Sequence, residues 1–129
     1  MKYCSACGKK VSYRIPANDD RLRYMCDSCG IVHYINPKVV VGSIPVWQEK
    51  VLLCRRAIEP QLGLWTLPAG FMENGETTLA GATRETHEEA GADIINGRLY
   101  RLFDIPFISQ VYLFYLADMP TAAHSPGIE

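Results

Sequence analysis

The sequence predicts an α/β domain behind a small β module held by cysteines, and three observations carry that prediction. Four of the five cysteines stand in residues 1–36, as two C-x-x-C pairs. Apolar, β-branched runs recur along residues 37–117. Between them lies one segment with helical spacing, capped at both ends, over residues 77–91.

Length and composition agree. The chain has 129 residues, with 48% hydrophobic and 21% charged side chains, values of an ordinary globular protein. A net charge of −1 argues against a chain built mainly to coat nucleic acid or an anionic membrane. No apolar run approaches the roughly 18 residues that span a bilayer. The first residues, Met1 to Cys4, lack the apolar core of a signal peptide, so a cytoplasmic setting is expected. Charge is unevenly split. Residues 1–36 carry six basic and three acidic side chains (+3), and residues 37–129 carry seven and eleven (−4). The cysteines respect the same boundary, at Asn36-Pro37.

In the first module, Cys4 and Cys7 are followed by Gly8, and Cys26 and Cys29 by Gly30. A two-residue spacer lets a tight turn aim two thiolates at one ion, and the glycine admits the positive φ that closes the turn. The spacing matches a four-cysteine zinc site. The alternative is a disulfide pair, which a reducing compartment disfavours. Four thiolates leave no open position, so Zn²⁺ bound by Cys4, Cys7, Cys26 and Cys29 is structural. Some 36 residues bury too little surface to fold unaided, and the metal makes up the difference. Residues 11–15 and 21–25 read as strands, with a turn at 16–20. The module is thus expected to be a zinc ribbon. A ribbon can also serve as a nucleic-acid adaptor, an alternative that its +3 charge leaves open.

Residues 38–44 read as a buried strand that Pro45 should bend or end. Residues 51–54 should form a hairpin with it, placing Cys54 in the core. The helix follows, with Thr77 or Thr78 as N-cap and Gly91 as its stop. Leu79, Ala82, Thr86 and Ala90 supply a modest apolar stripe, and Gly81 is a misfit costing about 1 kcal/mol relative to Ala. Residues 98–105 and 110–117 are strands joined by a turn near Pro106. The tail from 121 to 129 has no periodicity and reads as loop.

The helix breaks two local rules. Glu85, Glu88 and Glu89 lie at i, i+3 and i+4, where like charges repel, and in the C-terminal half, where the helix dipole disfavours anions. A hard divalent cation, Mg²⁺ or Mn²⁺, would resolve both. The surroundings decide between a cation site and a solvated acidic face. Gly70, Glu76, Arg84, Glu85, Glu88, Glu89 and Gly91 spell G-x5-E-x7-R-E-x-x-E-E-x-G.

That pattern resembles the signature of the Nudix hydrolases, which cleave nucleoside diphosphates linked to another moiety. Thr86 departs from it, standing where the family prefers an aliphatic residue. Residues 63–70 also look like the family's loop into the box. The resemblance implies an α/β/α sandwich with a mixed sheet at 37–129, behind the zinc ribbon at 1–36. It implies a metal-dependent pyrophosphatase. Glu88, Glu89 and the Ala69 carbonyl would hold Mg²⁺, with Glu85 binding metal or acting as base. Arg84 would orient Glu85, with Glu76 near it.

A ribbon before such a domain is similar to two groups. The NADH pyrophosphatases carry a Ser-Gln-Pro-Trp-Pro-Phe-Pro type motif after the box, absent here. The other group includes plant FAD pyrophosphatases that also act on ADP-ribose, and residues 36–42, 63–70 and 104–112 look like it. Family members continue past a Pro-Gly-x-Glu stretch with another strand and a helix, so a C-terminal part is expected to be missing from residues 37–129. Arg55, Arg56, Trp65 and Tyr112 are candidates for contacting a dinucleotide substrate. His33, His87 and His124 give no site signal, and His87 should face away from the metal. The split charge and the resemblance also point to a homodimer. A domain that senses nucleotide without cleaving it is an alternative that retention of all three glutamates disfavours.

Overall fold

Two segments between the cysteine pairs, each with a tyrosine, and a shorter one beyond the second pair make short strands. In the computed structural model, which describes residues 1–127, these are β1 (Val11–Arg14), β2 (Arg23–Cys26) and β3 (Val32–His33). They form an antiparallel sheet in the order β1-β2-β3, with Tyr13 opposite Tyr24 and Tyr24 opposite His33. Gly8 and Gly30 each adopt φ +78° and return an N–H to the carbonyl of Cys4 or Cys26. These are the turns the C-x-x-C-Gly spacing asks for. β3 was not read from the sequence, because two residues are too short to show a period.

The chain divides into two compact units, Met1–Asn36 and Pro37–Glu129. The second contains β4 (Lys38–Trp47), β5 (Lys50–Val51), β6 (Cys54–Arg55), β7 (Trp65–Thr66) and β8 (Ala69–Phe71). Helix α1 (Thr78–Ala90), β9 (Ile95–Ile105) and β10 (Gln110–Asp118) complete it. The main sheet runs β5-β4-β10-β9, with β8 also on β4. β4 and β10 are parallel and the other pairs antiparallel, so the sheet is mixed. β6 and β7 pair separately.

Two expectations need correction. β4 does not end at Pro45 but continues to Trp47. Ser43 N–H donates to the Pro68 carbonyl and Leu52 N–H to the Pro45 carbonyl. The missing donor of Pro45 therefore faces the edge where β8 has stopped, at Gly42, and β5 begins, at Val46. Pro45 stands opposite Leu52 and can only accept there, so that pair keeps one of the two bonds an antiparallel pair exchanges; the loss falls at the end of a short edge ladder, where proline is tolerated. The run at 51–54 is two short strands, β5 ending at Val51 and β6 starting at Cys54, because the chain leaves β4 to pair with β7.

Thr77 caps α1, its hydroxyl accepting from Ala80 N–H, and Gly91 ends it at φ +58°. The helix lies on β4, β8 and β10. Gly81 is explained by that packing, since a Cβ there would stand 2.7 Å from Val41 Cγ2 and from Glu76 Oε1. A cluster of Ala90, Ala92, Ile94, Ala117 and Met119 closes the core, with Trp47, Leu52 and Cys54 packed against it. Cys54 is thus a core neighbour, and burial raises its thiol pKa. Among the described residues α1 is the one α-helix, so they supply the sheet and one helical layer of the sandwich. No helix among them is long and apolar enough to cross a membrane. Residues 128 and 129, the last of the expected loop, lie outside the described residues.

Candidate active site and cysteine cluster

The family signature starts on β8 and ends on α1, and sheet register brings the two together. β8 bonds β4 through Gly70, while Ala69 and Phe71 turn their backbone polar groups to the other edge. On that edge Ala69 N–H donates to Glu89 Oε2 at 3.0 Å, and the Phe71 carbonyl accepts from Arg84 Nη2 at 3.2 Å. The N–H and C=O of one extended residue leave the same edge, so the Ala69 carbonyl also points away from β4.

Arg84 organises the acidic groups. Its Nε and Nη2 grip both oxygens of Glu76 at 3.0 and 2.8 Å, and Nη1 donates to Glu85 Oε1 at 2.8 Å and Glu88 Oε2 at 3.1 Å. Glu76 also accepts from Glu73 N–H. The Arg84 fork, with that N–H, holds the Glu76 carboxyl down at about 2. Glu85 is 9% exposed. Burial pushes its pKa up against the pull of Arg84. Its carboxylate lies flat on Gly70, where any Cβ would collide with it. Glycine at position 70 is therefore a steric requirement of the acidic side chain across from it.

The spacing of the glutamates alone implies that they repel one another. The structure modifies that, because Arg84 bonds Glu85 and Glu88, and the β8 edge takes Glu89. Their oxygen donors, with the Ala69 carbonyl turned to the same edge, are of the type a hard divalent cation takes, while among the described residues the four cysteines are the group that stands close enough together to share an ion. His87 stands away from them, exposed and 3.1 Å from Asp93.

Thr86 has a partner the sequence did not show. Its hydroxyl donates to the Ala82 carbonyl at 2.7 Å and bonds Ser43, and both side chains are fully buried. Since the Thr86 proton goes to Ala82, Ser43 must donate to Thr86. A serine on β4 thus compensates for the hydroxyl at a position where the family prefers an aliphatic side chain.

A cleft of about 370 Å³ opens beside Glu89, lined by Arg55, Arg56, Trp65, His124 and Ser125 among others. Arg55 and Trp65 are cross-strand neighbours, and Trp65 is 64% exposed. Arg55 Nε is tied to the Gly63 carbonyl and Arg56 Nε to that of Pro60. Tyr112 does not join this cleft. It sits in the middle of the sheet, paired with Val40 and Phe103, with its ring 6.3 Å from that of Phe114.

In the ribbon, the sulfurs of Cys4, Cys7, Cys26 and Cys29 all lie within 4.8 Å of one another. Tetrahedral zinc with Zn–S near 2.3 Å needs sulfurs about 3.8 Å apart. Cys4 and Cys29 are 3.7 Å apart and Cys7 and Cys26 3.4 Å, so the cluster fits the ion. Backbone N–H groups of Cys29 and Ser28, with Cys7, lower the Cys26 thiol to about 6. His33, given no role by the sequence, places Nε2 3.3 Å from Cys4 Sγ. The two stand 29 positions apart in the sequence and meet in the fold.

Comparison with known proteins identifies the family. A family model described as Nudix N-terminal, a zinc ribbon, matches residues 2–35, and the NUDIX domain model matches residues 36–127. The chain belongs to the Nudix family. It is 29% identical to the NAD-capped RNA hydrolase NudC of Photobacterium profundum over 100% of its own length and 47% of that protein's. The NudC of Vibrio parahaemolyticus is 30% identical, over 98% and 46%. The chain therefore spans about half the length of these curated relatives. A crystal structure of a NUDIX hydrolase from Nitrosomonas europaea is 55% identical, with a TM-score of 0.95 over 100% of this chain and 73% of that one. A MutT/nudix family protein from Enterococcus faecalis is 29% identical, with a TM-score of 0.66 over 74% and 42%.

Proposed function

We propose that this zinc-ribbon Nudix protein hydrolyses the diphosphate linkage of a dinucleotide-type substrate, with FAD and ADP-ribose as the first candidates. The observation that carries the reading is the Arg84 fork, which gathers Glu76, Glu85 and Glu88 beside the β8 edge that binds Glu89. Neither helix stability nor core packing requires four acidic groups in one place.

Glu88, Glu89 and the Ala69 carbonyl would hold Mg²⁺ or Mn²⁺, with Glu85 as a further ligand or as the base. When bound, the cation supplies charge stabilisation for the diphosphate. Arg84 orients Glu85, and Glu76 fixes Arg84 through both its oxygens. Water attacks one phosphorus, its proton passes to a carboxylate, and the bridging oxygen leaves with the other phosphate. Arg55 and Arg56 offer positive charge at the cleft and Trp65 a ring on which a base can stack. Tyr112, in mid-sheet, is left out of the substrate contacts. Zn²⁺ in the ribbon is structural in this reading, and the setting is cytoplasmic.

The curated relatives bear the name NAD-capped RNA hydrolase, so the test includes that substrate. FAD, ADP-ribose, NADH and NAD-capped RNA are each incubated with Mg²⁺ and the products separated. The expected result is metal-dependent release of AMP from FAD or ADP-ribose, lost in Glu89→Gln. Binding of ADP-ribose with no cleavage of any substrate would favour a sensing domain. A salt-dependent RNA gel shift without hydrolysis would favour the ribbon as an adaptor.

A further inference from the structure

An α-helix leaves its last four carbonyls without intrahelical partners. In α1 these belong to His87, Glu88, Glu89 and Ala90, so the glutamates assigned to the metal ride on the part of the helix most prone to fray. The His87 carbonyl is taken by Gly91 N–H. The next donors come from the tail, more than thirty residues on. Ser125 N–H donates to the Ala90 carbonyl at 2.7 Å, and Gly127 N–H to the Glu89 carbonyl at 3.0 Å.

Two glycines make this contact close. A Cβ at Gly91 would stand 2.9 Å from Ser125 N and would overlap the Ser125 hydroxyl. A Cβ at Gly127 would stand 2.5 Å from the Glu88 carbonyl oxygen and 2.9 Å from Glu89 Cα. Helix and tail therefore touch backbone to backbone. The same residues, His124 to Gly127, form one wall of the cleft that Glu89 borders.

We infer that residues 125–127 are a positioning strap for the catalytic helix. The strap caps the last turn of α1 from outside and so fixes where Glu88 and Glu89 present their carboxylates to the cation. The inference rests on the metal assignment proposed above. A tail read from sequence as plain loop thus takes part in building the site. Coupling of this kind is reciprocal, so a cation held by Glu88 and Glu89 must in turn hold the strap.

Three measurements on the full chain test this. Mn²⁺ affinity is read by electron paramagnetic resonance for wild type, Glu89→Gln, Gly127→Ala and Leu79→Ala. Leu79 packs on Gly97 at the other end of α1, so its truncation loosens the helix away from the strap. Gly127→Ala should weaken Mn²⁺ binding by about 10–100-fold, the range seen when groups that orient metal ligands are lost. Leu79→Ala should lower the melting temperature yet keep affinity within about twofold, as distant sites do. In the wild type, saturating Mg²⁺ should slow amide hydrogen exchange at Ser125 and Gly127, a readout that needs no substitution. If Glu89→Gln is weakened but Gly127→Ala binds as wild type and exchange at 125 and 127 ignores Mg²⁺, the strap inference is overturned while the metal assignment stands. If Glu89→Gln binds as wild type, the metal assignment itself has failed and the inference goes with it.

Discussion

The cysteine cluster and the glutamate cluster reach their geometry by opposite routes. In the ribbon, four sulfurs stand within 4.8 Å of one another, each pair aimed by its own glycine-closed turn. At α1 the acidic groups are drawn to protein donors, Glu85 and Glu88 of the helix and Glu76 just before it to Arg84, and Glu89 to the Ala69 N–H. Four thiolates already complete a tetrahedron, so a cluster of this kind is expected to serve folding. Carboxylates that are already hydrogen-bonded can exchange partners when a cation and substrate arrive, which suits turnover. The difference teaches that ligand type alone does not define a metal site; what holds the ligands beforehand decides whether it is structural or working.

Zinc removal breaks the comparison most severely. Structural zinc contributes on the order of 10 kcal/mol or more to small domains. Cys26→Ser, or chelation of the wild type, should collapse the amide dispersion of residues 1–36 in NMR spectra and leave that of residues 37–127. Elemental analysis should find one zinc per chain. A ribbon that stays folded without metal would remove the distinction drawn here.

Glu89→Gln probes the other side. It should lower hydrolysis of FAD and ADP-ribose by about 10²-fold or more, since metal stabilisation supplies several kcal/mol. Without metal, its melting temperature should match the wild type. Mg²⁺ should raise the wild-type melting temperature more than the variant's, because the ion binds only the folded site.

Between these lies a packing test. Thr86→Val strands the Ser43 hydroxyl in a fully buried place and should cost about 1–3 kcal/mol in chemical denaturation. Ser43→Ala should cost less, because Thr86 keeps the Ala82 carbonyl. The double variant should recover most of the loss, giving a coupling of about 0.5–3 kcal/mol.

The smallest effect is the pH dependence, and its two carboxylates act in opposite directions. Glu76 is held at about 2, below its ordinary 4.5, so its stabilisation is present above pH 4.5 and is lost as pH falls towards 2. Burial places Glu85 above 4.5, so its charge costs stability at neutral pH and the cost vanishes in acid. Metal-free Glu85→Gln should therefore melt higher than wild type at pH 7, and the gap should close as pH falls through the raised Glu85 pKa towards 4.5. Melting curves across pH 3–8 would show it.

Local signals carried much of the fold. The boundary near Asn36, the capped helix and the strands flanking Pro106 all depend on residues close in sequence, where spacing and cap chemistry act directly. Pro45 misled because the cost of proline depends on which edge of the strand its nitrogen faces, and that is set by β8 and β5. Gly81 looked like a flaw until Val41 and Glu76 closed over it. Tyr112, expected in a strand, and Trp65, expected in a loop, were equal candidates for substrate contact by residue type; the fold sets Trp65 at the cleft and Tyr112 in mid-sheet.

The sequence by itself determined which chemistry is present, the four cysteines, the acidic signature and the capped helix that carries it, because each is written in neighbours a few residues apart. Only the tertiary structure decided what each group answers to. Ser43 satisfies Thr86 across 43 positions, His33 meets Cys4, and the tail caps the helix. Those partnerships depend on sheet register and on backbones packed in contact, and no local pattern encodes a hydrogen bond whose two ends are brought together only by the fold.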